Sequence, residues 1–293
     1  KENDGVNKFA LTMLSKLEDE FNHDDASPET FERDDQGGVN AIGNCLKNEL
    51  LLFNRLTKRI RTTLEEMLRA LKGLVVMSEE IEIMERSLSI QQVPALWTAA
   101  AYPSLKALGA WVADYFQRIN FIGNWLKMEV PSSFWITSFF FPQGFISSVK
   151  QTFARNTMTP IDQVRLNTII TKLGVEEALA GMAPDIGVYV HGTFLQGCGW
   201  DEENQCIRES KPGEIFCKLP VIHLEPYDFK KDEGVDMDTV YICPLYKTSL
   251  RWGTLTTTGH SSNFVMPITL NLSATINKDR AQRMGVAMMM SDD

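Results

Sequence analysis

The chemically reactive side chains of this protein are concentrated in its second half. Cys198 and Ser261 are candidate nucleophiles, His191 and His260 are candidate bases, and Asp201 is a candidate for orienting the base. Such residues hydrolyse a substrate only when folding brings them within hydrogen-bond distance of one another. No G-x-S-x-G sequence surrounds a candidate serine, and 293 residues supply these residue types by chance. A free-standing cytosolic Cys/His hydrolase is therefore an alternative that the sequence permits but does not favour.

Histidines and cysteines also raise the question of a zinc site. The candidate ligands are His23, His191, His223, His260, Cys198, Cys206, Cys217 and Cys243. Structural zinc sites normally contain a closely spaced ligand pair, and neither C-x-x-C nor H-x-x-x-H occurs here. Cysteines in strands are more often small buried apolar residues, and five cysteines at irregular spacing favour a reducing compartment over a disulfide framework. The sequence therefore predicts no metal site.

A nucleotide-binding loop is also missing from the sequence, because G-x-x-x-x-G-K-[ST] does not occur. The nearest pattern consists of Gly192, Gly197 and Gly199, which follow a predicted strand. These glycines lead into Trp200 and an acidic turn rather than into a helix, whose N-terminus would bind phosphate. We predict that they shape a structural hairpin, that no catalytic residue is present, and that this segment binds no cofactor.

Charge and hydropathy exclude two classes of partner. The formal net charge of -9 argues against nucleic acid, because binding to phosphates requires a cationic surface. The longest apolar stretch, from Phe134 to Ile146, is shorter than the ~20 residues of a membrane-spanning helix. The sequence begins without Met and without a signal-peptide pattern, so we interpret it as a fragment of a longer protein.

An uncharged aromatic cluster within that stretch is the candidate docking or interdomain contact. It comprises Trp135, Phe139, Phe140, Phe141 and Pro142. Aromatic residues beside a helix start are more often buried in a core than bound to a ligand. If the cluster is partly exposed, it marks a docking surface.

Residues 1–159 have the periodicity of a helical subdomain. From Leu46 to Leu71 an apolar residue recurs every three or four positions, which predicts one long helix. Further helices are predicted after Ser78, after Pro103 and from Pro142. Residues 24–38 are acidic and polar, so we predict a mobile loop there. The Leu46 to Leu71 stripe leaves open a second alternative, a helical adaptor that binds a partner helix.

Residues 160–293 change to a period of two, as in Val164, Leu166 and Thr168. Short apolar runs separated by turn residues continue to Met290, without long helices between them. This pattern predicts an antiparallel, barrel-like β subdomain. The predicted fold class is α+β, with an N-terminal helical bundle followed by that β domain.

Several strings resemble the C-terminal region of dynein heavy chains. In the helical half they are VPALWTAAAYPSLKALGAWVADYFQRI (93–119), SSFWITSFFFPQGFISSVKQTFAR (132–155) and TPID (159–162). In the β half they are VYVHGTFLQGCGWD (188–201), VYICPLYKTSLRWGTLTTTGHSSNFV (240–265) and RMGVAMMM (283–290). The T-G-H-S-S-N-F string is more similar to axonemal heavy chains, particularly single-headed inner-arm types, than to cytoplasmic ones.

The resemblance implies a non-catalytic module that packs on a ring of six AAA modules and modulates or stabilises a microtubule motor. ATP and Mg would belong to the ring of the parent molecule, with none in this segment. The implied partners are the AAA ring of the same heavy chain and other dynein subunits, with the microtubule contacted only indirectly. The implied location is the cytoplasm and cytoskeleton, in the axoneme of a cilium or flagellum.

Overall fold

A computed structural model describes residues 2–33, 37–232, 234–251 and 263–292. The protein divides into two units, each with many internal contacts. The helical unit contains Lys1–Thr30 and Leu46–Glu129, and the mixed unit contains Phe31–Cys45 and Val130–Asp293. The fold class α+β is confirmed. The units divide the sequence near residue 130 rather than at the predicted 159/160, because the helix that begins at Pro142 contacts strands of the mixed unit.

Five α-helices make up most of the helical unit. They are α1 (Glu2–Lys16), α2 (Ala41–Leu71), α3 (Glu79–Ser89), α4 (Ala95–Thr98) and α5 (Leu108–Lys127), of which α2 begins in residues assigned to the mixed unit. The apolar stripe of α2 is buried as predicted, with Phe53, Leu56, Ile60, Leu64 and Met67 fully inaccessible to solvent. This burial within its own unit argues against the adaptor alternative, since the stripe is already covered.

The ends of α2 and α3 follow capping rules. Gly73 has φ +70°, and its N–H donates to the Ala70 carbonyl at 2.9 Å, while the Leu74 N–H donates to the Arg69 carbonyl at 2.9 Å. These two bonds satisfy carbonyls that the helix end leaves without partners. The Ser78 hydroxyl accepts a hydrogen bond from the Ile81 N–H at 3.4 Å, which starts α3.

Aromatic rings fill the centre of the helical unit. Trp111 stacks on Trp97, Tyr102 and Tyr115, with centroid separations of 5.8, 6.1 and 5.9 Å. The indole N–H of Trp97 donates to the Thr63 hydroxyl at 3.0 Å, so its buried polar atom is satisfied. The stack joins α4 and α5 to the connection between them.

One ion pair is buried beside this stack. The Arg118 Nε donates to the Asp114 Oδ2 at 2.7 Å, and the two side chains are only 5% and 8% exposed. The Arg118 guanidinium lies 3.6 Å from the centroid of the Tyr102 ring. Burial raises the pKa of Tyr102, so its hydroxyl stays protonated beside this pair.

The predicted mobile loop at 24–38 is anchored at its centre. Thr30 is 1% exposed, and its hydroxyl lies 3.1 and 3.2 Å from the carbonyl oxygens of Trp125 and Leu126. Arg33 forms a β-bridge with Val39, and residues 34–36 lie outside the described residues. A polar sequence with little to bury can therefore still be held by side-chain hydrogen bonds to backbone carbonyls.

Three α-helices and eleven strands lie entirely within the described residues of the mixed unit. The helices are α6 (Pro142–Thr157), α7 (Val175–Ala180) and α8 (Lys278–Arg283). The strands are β1 (Ser133–Trp135), β2 (Val164–Ile170), β3 (Val188–His191), β4 (Phe194–Gln196), β5 (Gly199–Asp201), β6 (Cys206–Arg208), β7 (Phe216–Lys218), β8 (Ile222–Asp228), β9 (Val240–Tyr246), β10 (Phe264–Asn271) and β11 (Ala287–Met289).

The strands form three sheets rather than the predicted antiparallel barrel. One sheet has the order β1-β3-β8-β2, another has the order β10-β9-β11-β4-β7, and β5 pairs with β6. None closes into a barrel within the described part of the sequence. The antiparallel prediction is wrong for two pairs, since β1 runs parallel to β3 and β11 runs parallel to β9. Periodicity reveals a strand but not the direction of its partner, and the long segments between these pairs permit parallel crossovers.

Two threonines connect the edges of the larger sheets. Thr168 of β2 and Thr269 of β10 have hydroxyl oxygens 2.8 Å apart, and the Thr269 N–H donates to the Thr168 hydroxyl at 2.8 Å. Thr168 is 5% exposed. The Thr168 side chain therefore satisfies a backbone N–H of β10, which lies at the edge of its sheet.

Candidate functional site

The aromatic cluster begins in the last residue of a strand that the sequence pattern did not reveal. Strand β1 (Ser133–Trp135) leads into a 3-10 turn at Ile136–Ser138, and Pro142 then occupies the start of α6. Pro fits this position because its missing N–H has no partner in the first turn. A three-residue strand inside a continuous apolar run shows no alternation, so only its parallel pairing with β3 identifies it.

The cluster divides into a buried part and a half-buried part. Phe139 is 2% exposed and stacks on Phe145 at 4.6 Å between centroids, and Pro142 is also buried. Trp135, Phe140 and Phe141 are each half-buried. We call these three residues the aromatic rim. The interpretation as core packing thus holds for two of the five predicted residues, while the rim offers apolar surface at the edge of the mixed unit's core.

The segment around the rim is held by close packing on glycine and by side-chain hydrogen bonds to backbone carbonyls. Gly192 has φ +92°, and a Cβ there would lie 2.5 Å from Cδ1 of Trp135, so the indole packs directly on the glycine backbone. The Thr137 hydroxyl donates to the Gly192 carbonyl at 2.8 Å. The Gln143 amide donates to the Phe264 carbonyl at 2.9 Å. Phe141 likewise packs on Gly144, where an added Cβ would lie 2.6 Å from its Cδ1, so Trp135 and Phe141 need little ordering before they bind a partner.

His191 has a structural role beside the rim, where it connects two strands. Its Nδ1 lies 2.8 Å from the Ser133 hydroxyl, and its strand position is paired with Trp135. Burial lowers the pKa of His191 to about 4, with a smaller contribution from the positive charge of Lys218. The imidazole is therefore neutral near pH 7 and connects β1 to β3.

Cys198 has the properties of a core residue rather than of a nucleophile. It is 1% exposed, and burial raises the pKa of its thiol to about 12. Burial also raises the pKa of Cys206, Cys217 and Cys243. Because the thiolate is the reactive form, these thiols stay protonated and are not activated as nucleophiles at neutral pH.

The candidate triad is not assembled in the described part of the sequence. Asp201 accepts hydrogen bonds from the backbone N–H groups of Glu203 and Asn204 at 3.1 and 3.0 Å, and bonds from Asn204 lower its pKa. No hydrogen bond joins Asp201 to Cys198 or His191 among the described residues. Asp201 thus holds the turn between β5 and β6. His260 and Ser261 lie outside the described residues.

The glycine pattern shapes turns, as predicted, although β4 and β5 join different sheets instead of pairing as a hairpin. Gly197 has φ +89°, and a Cβ at Gly199 would lie 2.1 Å from the Arg208 guanidinium. Arg208 donates to both carboxylate oxygens of Glu214 at 2.8 Å. This pair lowers the pKa of Glu214 to about 2. A strand, not a helix N-terminus, follows these glycines, so the segment lacks the geometry that binds a phosphate.

The described residues hold neither a metal-binding group nor a membrane-spanning helix. Within residues 2–33, 37–232, 234–251 and 263–292, no group of three or more His, Cys, Asp or Glu residues is arranged to hold a metal ion. No helix in the same ranges has the length and apolar character to cross a membrane.

The family model for the C-terminal domain of dynein heavy chains matches residues 1–290. The protein therefore belongs to this family of C-terminal domains, and the resemblance in its sequence strings is confirmed.

Human axonemal heavy chains are among its relatives. Dynein axonemal heavy chain 6 is 39% identical over 283 residues, covering 90% of this sequence and 7% of the relative. Dynein axonemal heavy chain 1 is 42% identical over 228 residues, covering 78% and 5%. Dynein axonemal heavy chain 3 is 39% identical over 268 residues, covering 90% and 6%. The sequence thus spans less than a tenth of the length of these relatives.

Proposed function

We propose that this protein is a non-catalytic C-terminal module that packs on the AAA ring of a dynein heavy chain and modulates its ATP-driven motion on microtubules. The observation that carries the proposal is the family match over residues 1–290. ATP, Mg and microtubule binding then belong to other parts of a molecule more than ten times longer. The axonemal relatives locate the protein in the axoneme of a cilium or flagellum.

The state of the reactive residues supports a non-catalytic role. The Cys198 thiol is buried and protonated, and the His191 imidazole is neutral and bonded to Ser133. A hydrolase would need an accessible nucleophile activated by a neighbouring base. Both residues instead contribute to the packing of the mixed unit.

The aromatic rim is the contact surface that we assign to ring binding. Large aromatic side chains at the edge of a core contribute strongly to interfaces, because they bury much apolar area with few rotatable bonds. Trp135 is positioned by its packing on Gly192, and Phe141 is positioned by its packing on Gly144 at the start of α6. Other dynein subunits are further partners in this proposal, and the microtubule is reached only through the ring.

Replacement of the rim in an intact heavy-chain motor carrying this sequence tests the proposal. Phe140→Gln and Phe141→Gln together remove apolar contact area at the surface. We expect microtubule gliding velocity and microtubule-stimulated ATP turnover to change by about twofold or more, while basal ATP turnover persists. The magnitude corresponds to weakening of a few apolar contacts.

The matched control is Phe229→Gln. Phe229 is an aromatic residue of the same unit, 44% exposed and outside the rim. We expect this variant to behave as the unmodified motor does. If the rim variant folds but its motor has the same gliding velocity and ATP turnover as the Phe229 control, the rim is not the ring contact.

A further inference from the structure

The surface of the helical unit carries a groove that the proposed function does not use. It runs between α2, α3 and α4 and consists of two adjoining cavities of about 400 and 380 Å³. Arg55, Arg59, Glu80 and Leu96 line both cavities, so the two form one continuous depression. All of its lining residues belong to the helical unit.

The first cavity of the groove is mainly apolar. Met84 and Ala100 lie beneath its surface at 1% and 7% exposure. Ile83 is 50% exposed, and Ala95 and Ala99 next to it have only small side chains. The isoleucine projects from the surface beside small alanines, and the space above these alanines can accommodate apolar side chains of a partner.

The α2 side of the groove is cationic. Arg55, Lys58 and Arg59 are exposed at spacings of three and four residues, which places them on one helix face. Within the described part of the sequence, none of these three side chains forms an ion pair or donates a hydrogen bond. Glu80 and Glu66 are the carboxylates of the lining, so the groove keeps a net positive charge in a protein of net charge -9.

The length of the groove matches a short helix. The lining residues of α2 extend from Arg55 to Glu66, about 16 Å at 1.5 Å per residue, or roughly three helical turns. An amphipathic helix in an apolar groove buries its apolar face and leaves its charged edges to pair with the rim of the groove. A ligand that contributed phosphate alone would leave Ile83 and Leu96 uncovered.

We propose that this groove binds an acidic amphipathic helix of a separate partner protein. Its apolar residues cover Ile83 and Leu96, and its carboxylates pair with Arg55 and Arg59. This surface lies on the exposed side of α2, opposite the Leu46 to Leu71 stripe, which is buried in the core. The proposal is independent of ring binding through the aromatic rim, which belongs to the other unit.

Fluorescence anisotropy with a designed peptide tests the proposal on the full 293-residue protein. The probe is a fluorescein-labelled peptide of ~14 residues with leucines at helical spacing and flanking glutamates. We expect saturable binding that Arg55→Glu/Arg59→Glu weakens by about tenfold or more, since two charge pairs become repulsive. A second peptide with lysines in place of the glutamates should bind this double variant better than it binds the unmodified protein.

Matched controls separate the groove from general electrostatics and from folding. Lys8→Glu/Lys16→Glu changes the net charge equally on exposed positions of α1, and we expect binding within about twofold of the unmodified protein. Ile83→Asp, at a half-exposed position, should also weaken binding about tenfold without loss of helical circular dichroism.

Four results would overturn the proposal. Equal loss in the Lys8/Lys16 control would mean unspecific charge attraction, and equal binding of a peptide with glutamines for glutamates would remove the role of the arginines. Binding of anionic phospholipid vesicles in the absence of peptide binding would assign the surface to a membrane. Binding by the 293-residue protein but not by an intact heavy-chain motor would show that a segment of the same heavy chain occupies the groove.

Discussion

The helical unit and the mixed unit are stabilised in different ways. In the helical unit, helices that follow one another along the sequence bury apolar stripes around a stack centred on Trp111. In the mixed unit, β1 pairs with β3 across more than fifty residues, at Ser133 and Tyr189. Local periodicity therefore governs the helical unit, whereas register between distant strands, fixed by glycines and short polar contacts, governs the mixed unit.

The two units therefore differ in which single substitutions should destabilise them most. A helix core depends on buried volume and on satisfaction of the few polar groups inside it. A sheet also depends on close backbone approach at particular positions, where an added Cβ has no space. Each unit should therefore have its own characteristic weak point.

The largest effect is expected in the helical unit from Asp114→Ala. This change leaves the Arg118 guanidinium buried without its carboxylate, and we expect a loss of about 3 to 5 kcal/mol in the free energy of unfolding. Denaturant unfolding followed by helical circular dichroism measures it. The control is Glu82→Ala, which breaks the exposed pair with Arg86 at the same i,i+4 spacing and should cost below about 1 kcal/mol. Similar losses in both variants would contradict the importance of the buried pair.

The second effect is expected in the mixed unit from Gly187→Ala. Gly187 has φ +79°, and a Cβ there would lie 2.0 Å from the Leu224 carbonyl oxygen across the β3–β8 pair. We expect a loss of about 3 kcal/mol, measured by the same unfolding experiment. Gly213→Ala is matched in φ at +81° but meets nothing within 4 Å, so it should cost only the conformational strain of about 1 kcal/mol. Equal losses would mean that the close approach between strands is not limiting.

The third effect is a pH dependence that belongs to the mixed unit. The pKa of His191 is about 4 in the folded protein, below the 6.5 of an exposed histidine, so the unfolded state binds its proton first as pH falls. His191 thus favours folding fully above pH 6.5, and this contribution decreases as pH falls toward 4. From these two pKa values we expect a loss of about 2 kcal/mol between pH 7.5 and 5.

The pH effect is isolated by comparison with His191→Asn, whose amide can retain the bond to Ser133 without titrating. The difference in unfolding free energy between the two proteins should shrink as pH falls from 7 to 5. A difference that stays constant over this range would show that His191 is not buried in its neutral form.

The smallest effect is expected at a helix end. Ser78→Ala removes the hydroxyl that caps α3, and we expect a loss of about 1 kcal/mol. Amide hydrogen exchange should show faster exchange at Ile81, whose N–H loses its partner, with no change in the mixed unit. Unchanged exchange at Ile81 would mean that the cap contributes nothing.

The helices could be predicted from sequence because their signals are local. The α2 stripe and the Ser78 start of α3 both occur where the periodicity and the capping residue indicated. The α1 helix ends at Lys16 without a following glycine or proline, so its end carries no comparable local signal.

The sheets could be predicted only in part. Strands β2, β8, β9 and β10 follow apolar runs recognised in the sequence. The parallel pairing of β1 and β11 could not be predicted, because periodicity carries no information on the direction of a distant partner. The continuous apolar sequence around Trp135 concealed β1 for the same reason.

The composition of the sequence located the candidate site, but it did not show which of the aromatic residues are buried. The aromatic residues from Trp135 to Pro142 were recognisable as a cluster, whereas burial of Phe139 on Phe145 depends on the turn that precedes α6. The groove beside Arg55 and Arg59 gave no sequence signal, since exposed cations on a helix usually face solvent. It arises only when α3 and α4 pack beside α2.

Basal ATP turnover by an intact heavy-chain motor, measured with and without residues 1–293, tests most directly whether this region acts by packing. We predict that the shortened motor keeps basal turnover within about threefold, a difference below about 1 kcal/mol in barrier height, and that the 293-residue protein alone shows none. ATP turnover by the isolated protein, or its complete loss from a shortened motor whose ring still binds nucleotide, would contradict the account.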